Sequence, residues 1–273
     1  VSGAAGERGV ARFLLGATTL AVLGFLVLPL VVVVPLSLSS GELLTLPVPG
    51  YSLRWYEDFF SSGQWLLATR NSFVVGVATA ALATLLGTLA ALGLFLGRFR
   101  GKAVLIGLLS TPMVVPVVVT AAAVYFAFAL VGLNNTLTGL VLAHTVLSVP
   151  YVLITVLATL QTFDRNLLKA AATLGAPPHV AFLRVVLPSI APGVATGALF
   201  AFATSFDELV VALFVASPAQ FTLPRQMFAG LREFLSPTIA AAAVLLIAVS
   251  VVLLALNEWA RARAKARARP LVA

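Results

Sequence analysis

The sequence has no cysteine, only two histidines and nine acidic residues in 273 positions. Without cysteine there is no disulfide, no iron–sulfur ligation and no thiolate zinc site, and the chain carries no sign of its redox compartment. Charge of either sign is scarce, at 10% of residues against 61% hydrophobic, and mean hydropathy is +1.09. Soluble domains carry roughly 25% charged residues, so this composition indicates a polytopic membrane protein. Three motifs are also missing. With no G-x-x-x-x-G-K-[ST] loop the chain cannot itself cradle ATP, and the lack of H-E-x-x-H and G-x-S-x-G argues against a membrane-embedded hydrolase.

What is present is a series of long apolar runs. A crossing helix needs about 20 apolar residues at about 1.5 Å each, and six such windows are predicted: 13–38, 71–97, 103–130, 138–160, 191–216 and 238–257. All are expected to be helices. Lipid offers no partner for backbone polar groups, and none of the runs shows the alternation of a barrel strand. The first run exceeds a signal-peptide core of about 7–15 residues and has no small-residue cleavage site after it, so it is read as a retained span. Val1 is not an initiator methionine, so further residues are expected upstream.

Basic residues fix the expected orientation. Six spans put both termini on one side, taken as cytoplasmic, which then holds thirteen of the seventeen Lys and Arg residues. These are Arg8, Arg12, Arg98, Arg100, Lys102, Arg165, Lys169, Arg184 and the five basic residues of the Arg261–Arg269 tail. Arg54, Arg70, Arg225 and Arg232 fall on the other side. Retention of basic loops in the cytoplasm accounts for this asymmetry. The net charge of +8 is therefore assigned to topology and anionic lipid, with no nucleic-acid partner expected. Trp55, Trp65 and Trp259 lie near span ends, where indoles anchor at the headgroup level.

Inside the second span, Gly76, Ala80, Ala83, Gly87 and Ala91 recur at helical spacing, which suits close helix packing. Pro112 and Pro116 are expected to kink the third span. A half-polar segment then separates the fourth and fifth spans. Asp164 opens a short helix with Leu167, Ala171 and Leu174 on one face. Gly175 can close that helix in the left-handed conformation, and Pro177 and Pro178 suit the first turn of a second one. The second helix is expected to present Val180, Leu183 and Leu187 and to end at Pro188. Residues 164–188 thus read as a helical hairpin that inserts into a partner's groove, with a membrane-surface loop as the alternative.

The stretch KAAATLGAPPHVAFLRVVLP, residues 169–188, resembles the EAA loop of bacterial ABC importer permeases: E-A-A, three residues, Gly, nine residues, I-x-L-P. The matching positions are Lys169, Ala170, Ala171, Gly175, Val185, Leu187 and Pro188. The segments SFDEL and TLPRQM, the aromatic YSLRWYEDFF and the following TRNSF are similar to those of the spermidine/putrescine importer permeases. The resemblance implies an all-α, six-helix MetI-like (type I) fold, one transmembrane domain over 1–273, whose first helix wraps a second permease subunit. That second subunit is expected to be a paralogue. It further implies two ATPase subunits that hold ATP and Mg, a periplasmic solute-binding protein, a location in the bacterial inner membrane, and no cofactor, metal or covalent chemistry in this chain. Lys169, Ala170, Ala171, Leu174, Gly175, Ala176, His179, Phe182, Leu187 and Pro188 are the implied ATPase-coupling residues. The chain departs from the family at three of its positions. Lys169 replaces the usual Glu, Val185 replaces Ile, and Val117 stands where many polyamine-type relatives carry an acid.

Asp207 and Glu208 are the only carboxylates predicted within the membrane, with Asp207 about 21 Å along its helix from Gly193. A carboxylate there costs about 2.5–3.5 kcal/mol unless it faces a cavity or a partner. The substrate path is therefore drawn through Asp207, Glu208, Phe206, Tyr125 and His144, for a cationic solute. The structural alternative pairs a carboxylate with His144 or Arg70. On the outer side, residues 217–237 form a loop in which Pro224 starts an amphipathic helix carrying Phe228, Leu231 and Leu235. That loop is read as receiving the solute-binding protein or as a membrane-resting segment that closes the cavity, two compatible readings. An ion-coupled transporter or channel is the competing class; no internal repeat supports it. Polyamines lead as the expected solutes, with opines, amino-acid-like amines and other small polar solutes as the alternatives.

Overall fold

The computed structural model describes residues 3–233 and 236–268, and among these the regular elements are helical apart from one isolated bridge between Ser39 and Tyr51. In chain order they are α1 (Gly3–Ser37), α2 (Arg54–Ser61), α3 (Gly63–Leu96), α4 (Lys102–Val114), α5 (Val117–Val131), α6 (Leu137–Gln161), α7 (Asn166–Thr173) and α8 (Pro178–Ala181). A π-turn over Phe182–Val186 leads into α9 (Leu187–Phe206), and α10 (Val210–Val215), α11 (Leu223–Glu233) and α12 (Thr238–Ala268) follow. Among the described residues, five helical runs are long and apolar enough to cross a membrane, Pro178–Phe206 counting as one, and α4 with α5 make a sixth if that bent pair is one span.

One compact unit comprises the chain up to Ser62 with Ala229–Ala248. Its α1 exposes apolar residues from Phe13 to Val34, with Phe13, Leu20 and Phe25 more than 70% exposed. The connection after α1 is tied down by hydrogen bonds. Ser52 N–H donates to the Leu38 carbonyl (2.7 Å), Trp55 Nε1–H to the Ser39 carbonyl (2.7 Å), and Thr238 Oγ1 to Asp58 Oδ2 (2.7 Å).

The second unit, Gly63–Phe228 with the helix from Val249 onward, is built on α3, α6 and α9. Trp65, Ala68, Ser72, Val75, Thr79, Ala83, Gly87 and Ala91 make one buried stripe along α3 at three- and four-residue spacing. Most are small, so neighbouring backbones approach closely, as expected of helix association in lipid. Trp65, expected at the headgroup level, is instead turned into the protein and only 8% exposed. Helix α3 also starts eight residues before the predicted 71; its 34 residues rise about 51 Å, more than a hydrocarbon core of about 30 Å. The polar first turns therefore belong to the helix without belonging to the apolar run.

Helices α6 and α9 run antiparallel. His144 meets Ser205, Ser148 Oγ donates to the Ala201 carbonyl at 3.3 Å, and Gly197 faces Val152 and Thr155. Helix α6 matches the predicted 138–160 within one residue at each end.

Two spans differ from expectation. The third is not one kinked helix: α4 and α5 meet at 102°. Pro112 sits inside α4, whereas Val115, held extended (ψ 134°) by the proline after it, and Pro116 break the ladder. A residue before proline is pushed out of the helical region, and proline contributes no N–H. The fifth span is not 191–216 but one helical run over Pro178–Phe206, and Pro188 does not end it. In the π-turn the Leu187 N–H reaches back five residues to the Phe182 carbonyl, which changes the pairing just where proline lacks a donor.

Candidate functional site

The half-polar hairpin forms as its residues dictate. The Asn166 N–H donates to Asp164 Oδ1 (2.9 Å) at the start of α7. At its other end, the Gly175 N–H donates to the Ala172 carbonyl and the Ala176 N–H to the Ala171 carbonyl, both at 3.0 Å. These two bonds are the Schellman closure, which needs a left-handed residue, and Gly175 has φ +73°. Pro177 is extended and Pro178 begins α8.

The predicted coupling residues divide between two faces. Lys169, Ala170, Leu174, Gly175, His179 and Pro188 are exposed, Leu174 by 87%. Ala171 is buried, Ala176 is half-buried, and Phe182 and Leu187 pack against the core formed by α3, α6 and α9. On the face expected to carry Val180, Leu183 and Leu187, Leu183 is 55% exposed while Val180 and Leu187 are half-buried. Ala181, Val186 and Ile190 are buried. The five-residue step from Ala181 to Val186 follows from the π-turn, which places every fifth residue on one side.

At the opposite end of α9 the helix stops at Phe206, and Asp207–Leu209 separate it from α10. Glu208 Oε1 accepts from the Val211 N–H at 2.9 Å, a side chain standing where a helical carbonyl would otherwise serve. Glu208 also lines a cavity of about 290 Å³ with Pro112, Met113, Val115, Val117, Leu147, Tyr151 and Thr204. The broken third span thus forms one wall, and α6 and α9 supply the others.

Of the five residues drawn into a substrate path, the cavity receives Glu208. Asp207 is exposed. Phe206 is buried against Phe202 and Phe73, with ring centroids 5.2 Å and 5.1 Å away. Tyr125 packs edge-on against Phe126. His144 does not pair with a carboxylate: its Nδ1 lies 2.8 Å from Ser205 Oγ, both residues are buried, and its Nε2 has no hydrogen-bond partner among the described residues. Arg70 is exposed. Tyr151 and Thr204 were missed by sequence reasoning. Tyr151 stands seven residues after His144, on the same helical face as Leu147, so extending that face two turns would have found it.

In the 217–237 segment, Asn71 Nδ2 donates to the carbonyls of Ala219 (3.0 Å) and Phe221 (3.1 Å), and Ser72 Oγ accepts from the Leu223 N–H (2.7 Å). The start of this segment is thereby fastened to α3. Helix α11 forms with Pro224 in its first turn; Leu235 lies outside the described residues.

The sequence model of the family described as "Binding-protein-dependent transport system inner membrane component" matches residues 83–266. The spermidine/putrescine transport system permease protein PotC of Escherichia coli (strain K12) is 30% identical over 249 residues, covering 91% of this chain and 94% of that protein. The putrescine transport system permease protein PotI of the same strain is 33% identical over 259 residues, covering 90% and 92%. Among solved structures, a bacterial alginate ABC transporter in complex with an alginate pentasaccharide-bound periplasmic protein superposes with a TM-score of 0.70 at 15% identity, covering 92% of this chain and 93% of that one. The MetNI methionine ABC transporter in an inward-facing conformation gives 0.56 at 17%, covering 76% and 95%. At these identities the likeness is one of fold.

Proposed function

This chain belongs to the family of binding-protein-dependent transport system inner-membrane components, and from that premise we propose that it moves a polyamine-like cation inward by ATP-driven alternating access. It is a permease subunit, multi-pass in the inner membrane. Its partners in this reading are a second, paralogous permease, two ATPase subunits that bind ATP and Mg, and a periplasmic solute-binding protein. Both termini face the cytoplasm.

The observation that carries the reading is the exposed hairpin of α7 and α8, which runs without a break into α9. Its outward face, with Lys169, Ala170 and Leu174 exposed, is available to an ATPase groove, and closure of the ATPases would shift α9 as a rigid body. For the solute, support comes from Glu208. It brings a carboxylate to a cavity that also has the hydroxyl-bearing Tyr151 and Thr204, and small-molecule sites combine apolar walls with a few placed polar groups in this way. Asp207, exposed two residues from Ser205, would attract a cation toward the same break.

Uptake of labelled putrescine and spermidine into vesicles holding the complete complex tests the proposal. Transport should require ATP and all subunits. Transport that persists without any ATPase subunit, driven by an ion gradient, would replace this reading with the ion-coupled one.

A further inference from the structure

The coupling hairpin is also fastened to α3, by a residue outside the EAA pattern. Arg165, immediately before α7, donates from its guanidinium to the Phe95 carbonyl at 2.7 Å. The same guanidinium lies 4.2 Å above the centroid of the Phe95 ring. Phe163, two residues earlier, meets that ring edge-on at 6.4 Å. Three contacts from one short segment thus converge on one residue in the last turn of α3.

Each contact has a physical reason. Phe95 is the penultimate residue of α3, so its carbonyl is one of the last four that a helix cannot satisfy internally. A cation there also meets the negative end of the helix dipole. Guanidinium over an aromatic face adds attraction, and its planar fork allows stacking and hydrogen bonding together, which an ammonium cannot do. Phe95 and Phe163 both pack against the core cluster that holds Ala91, Leu92, Leu153 and Ile190, so the Phe95 ring is backed by packed side chains.

The geometry points to Arg165 as a positioning residue for energy coupling, one that passes displacement of the ATPase-docked hairpin to α3. Docking stays with the outward face of α7, which Arg165 does not share; its side chain reaches the other way, to α3. This inference rests on the reading of the chain as an ABC permease.

The test uses the whole complex in proteoliposomes with its solute-binding protein, measuring putrescine uptake and ATP hydrolysis together. In Arg165→Ala the ATPases should still co-purify and hydrolyse ATP, while solute moved per ATP falls on the order of fivefold, the lower end of ordinary inter-site coupling. Arg165→Lys, which keeps charge but loses the stacked fork, should fall between. Phe95→Leu, which keeps the carbonyl and loses the ring, should also lower the ratio. An unchanged ratio in Arg165→Ala overturns the inference, as does loss of the ATPases from that variant, which would make Arg165 a docking residue. If the Arg165→Ala permease itself does not fold into the membrane, Arg165→Lys and Phe95→Leu decide, and unchanged ratios in both overturn it. A wild-type complex without ATP-dependent uptake would instead defeat the underlying reading.

Discussion

Gly87 and Gly197 face each other across Val152. A β-carbon on Gly87 would stand 2.7 Å from Val152 Cβ, and one on Gly197 would stand 2.9 Å from Val152 Cα. Val152 is fully buried, so α3, α6 and α9 come together at a point where two of the three helices present no side chain.

That arrangement predicts a sharp cost for a single methyl group. Gly197→Ala places its β-carbon against a backbone atom, which cannot rotate away, so overpacking should destabilise the bundle by about 1–3 kcal/mol. Gly93→Ala, where nothing lies within 4 Å, should leave stability unchanged or slightly raised. Thermal unfolding of both variants in detergent checks the contrast; equal midpoints would show that the helices part easily.

Gly175 makes a different demand, of conformation and not of space. Nothing lies within 4 Å of its missing β-carbon, but φ is +73°, which costs other residues about 1–2 kcal/mol. Gly175→Val should therefore open the hairpin and release the ATPases on purification, leaving the unfolding midpoint of the bundle unchanged. Gly175→Asn, which tolerates this conformation, should retain more ATPase than Gly175→Val.

Glu208→Gln keeps an acceptor for the Val211 N–H and removes the charge at the cavity. The half-saturation concentration for spermidine should rise on the order of tenfold, the size of one charge-assisted hydrogen bond. Asp207→Asn, outside the cavity, should change it less. Transport assays with both variants at matched expression measure the ordering, and the reverse ordering would move the cation site to Asp207.

Ser205→Ala leaves His144 with both ring nitrogens unpaired, since Nε2 already lacks a partner among the described residues. Interhelical hydrogen bonds in membranes average about 0.6 kcal/mol when the freed group finds another partner. A fully buried histidine with none should cost about 1–3 kcal/mol. Ser205→Thr, which keeps the hydroxyl, should restore most of the loss in the unfolding midpoint.

How well the sequence could be read varied with the physics of each segment. Helix α6 is a uniform apolar run between polar loops, and its limits were visible because composition alone sets them. The closure at Gly175 was visible too, since a glycine before two prolines allows few conformations. The 102° break was not: Pro112 and Pro116 look alike in sequence, and only the extended Val115 shows which one divides the span. Nor was the continuity of α8 with α9, because a π-turn leaves no mark in composition. Glu208 was legible as a costly carboxylate. Its cavity was not, because Met113, Tyr151 and Thr204 come from three separate segments.

The run from Pro178 to Phe206 has a mechanical meaning of its own. Its 29 residues make a rod about 44 Å long, with the exposed hairpin at one end and the Asp207–Leu209 break at the other. A tilt of about 5° about the middle of such a rod displaces each end by about 2 Å, comparable to the interface shifts that separate two packed states. The π-turn, five residues near one end, is where such a lever would flex and lose stroke. A rod that stays straight would deliver any movement of the hairpin, reversed in direction, to the residues beside Glu208.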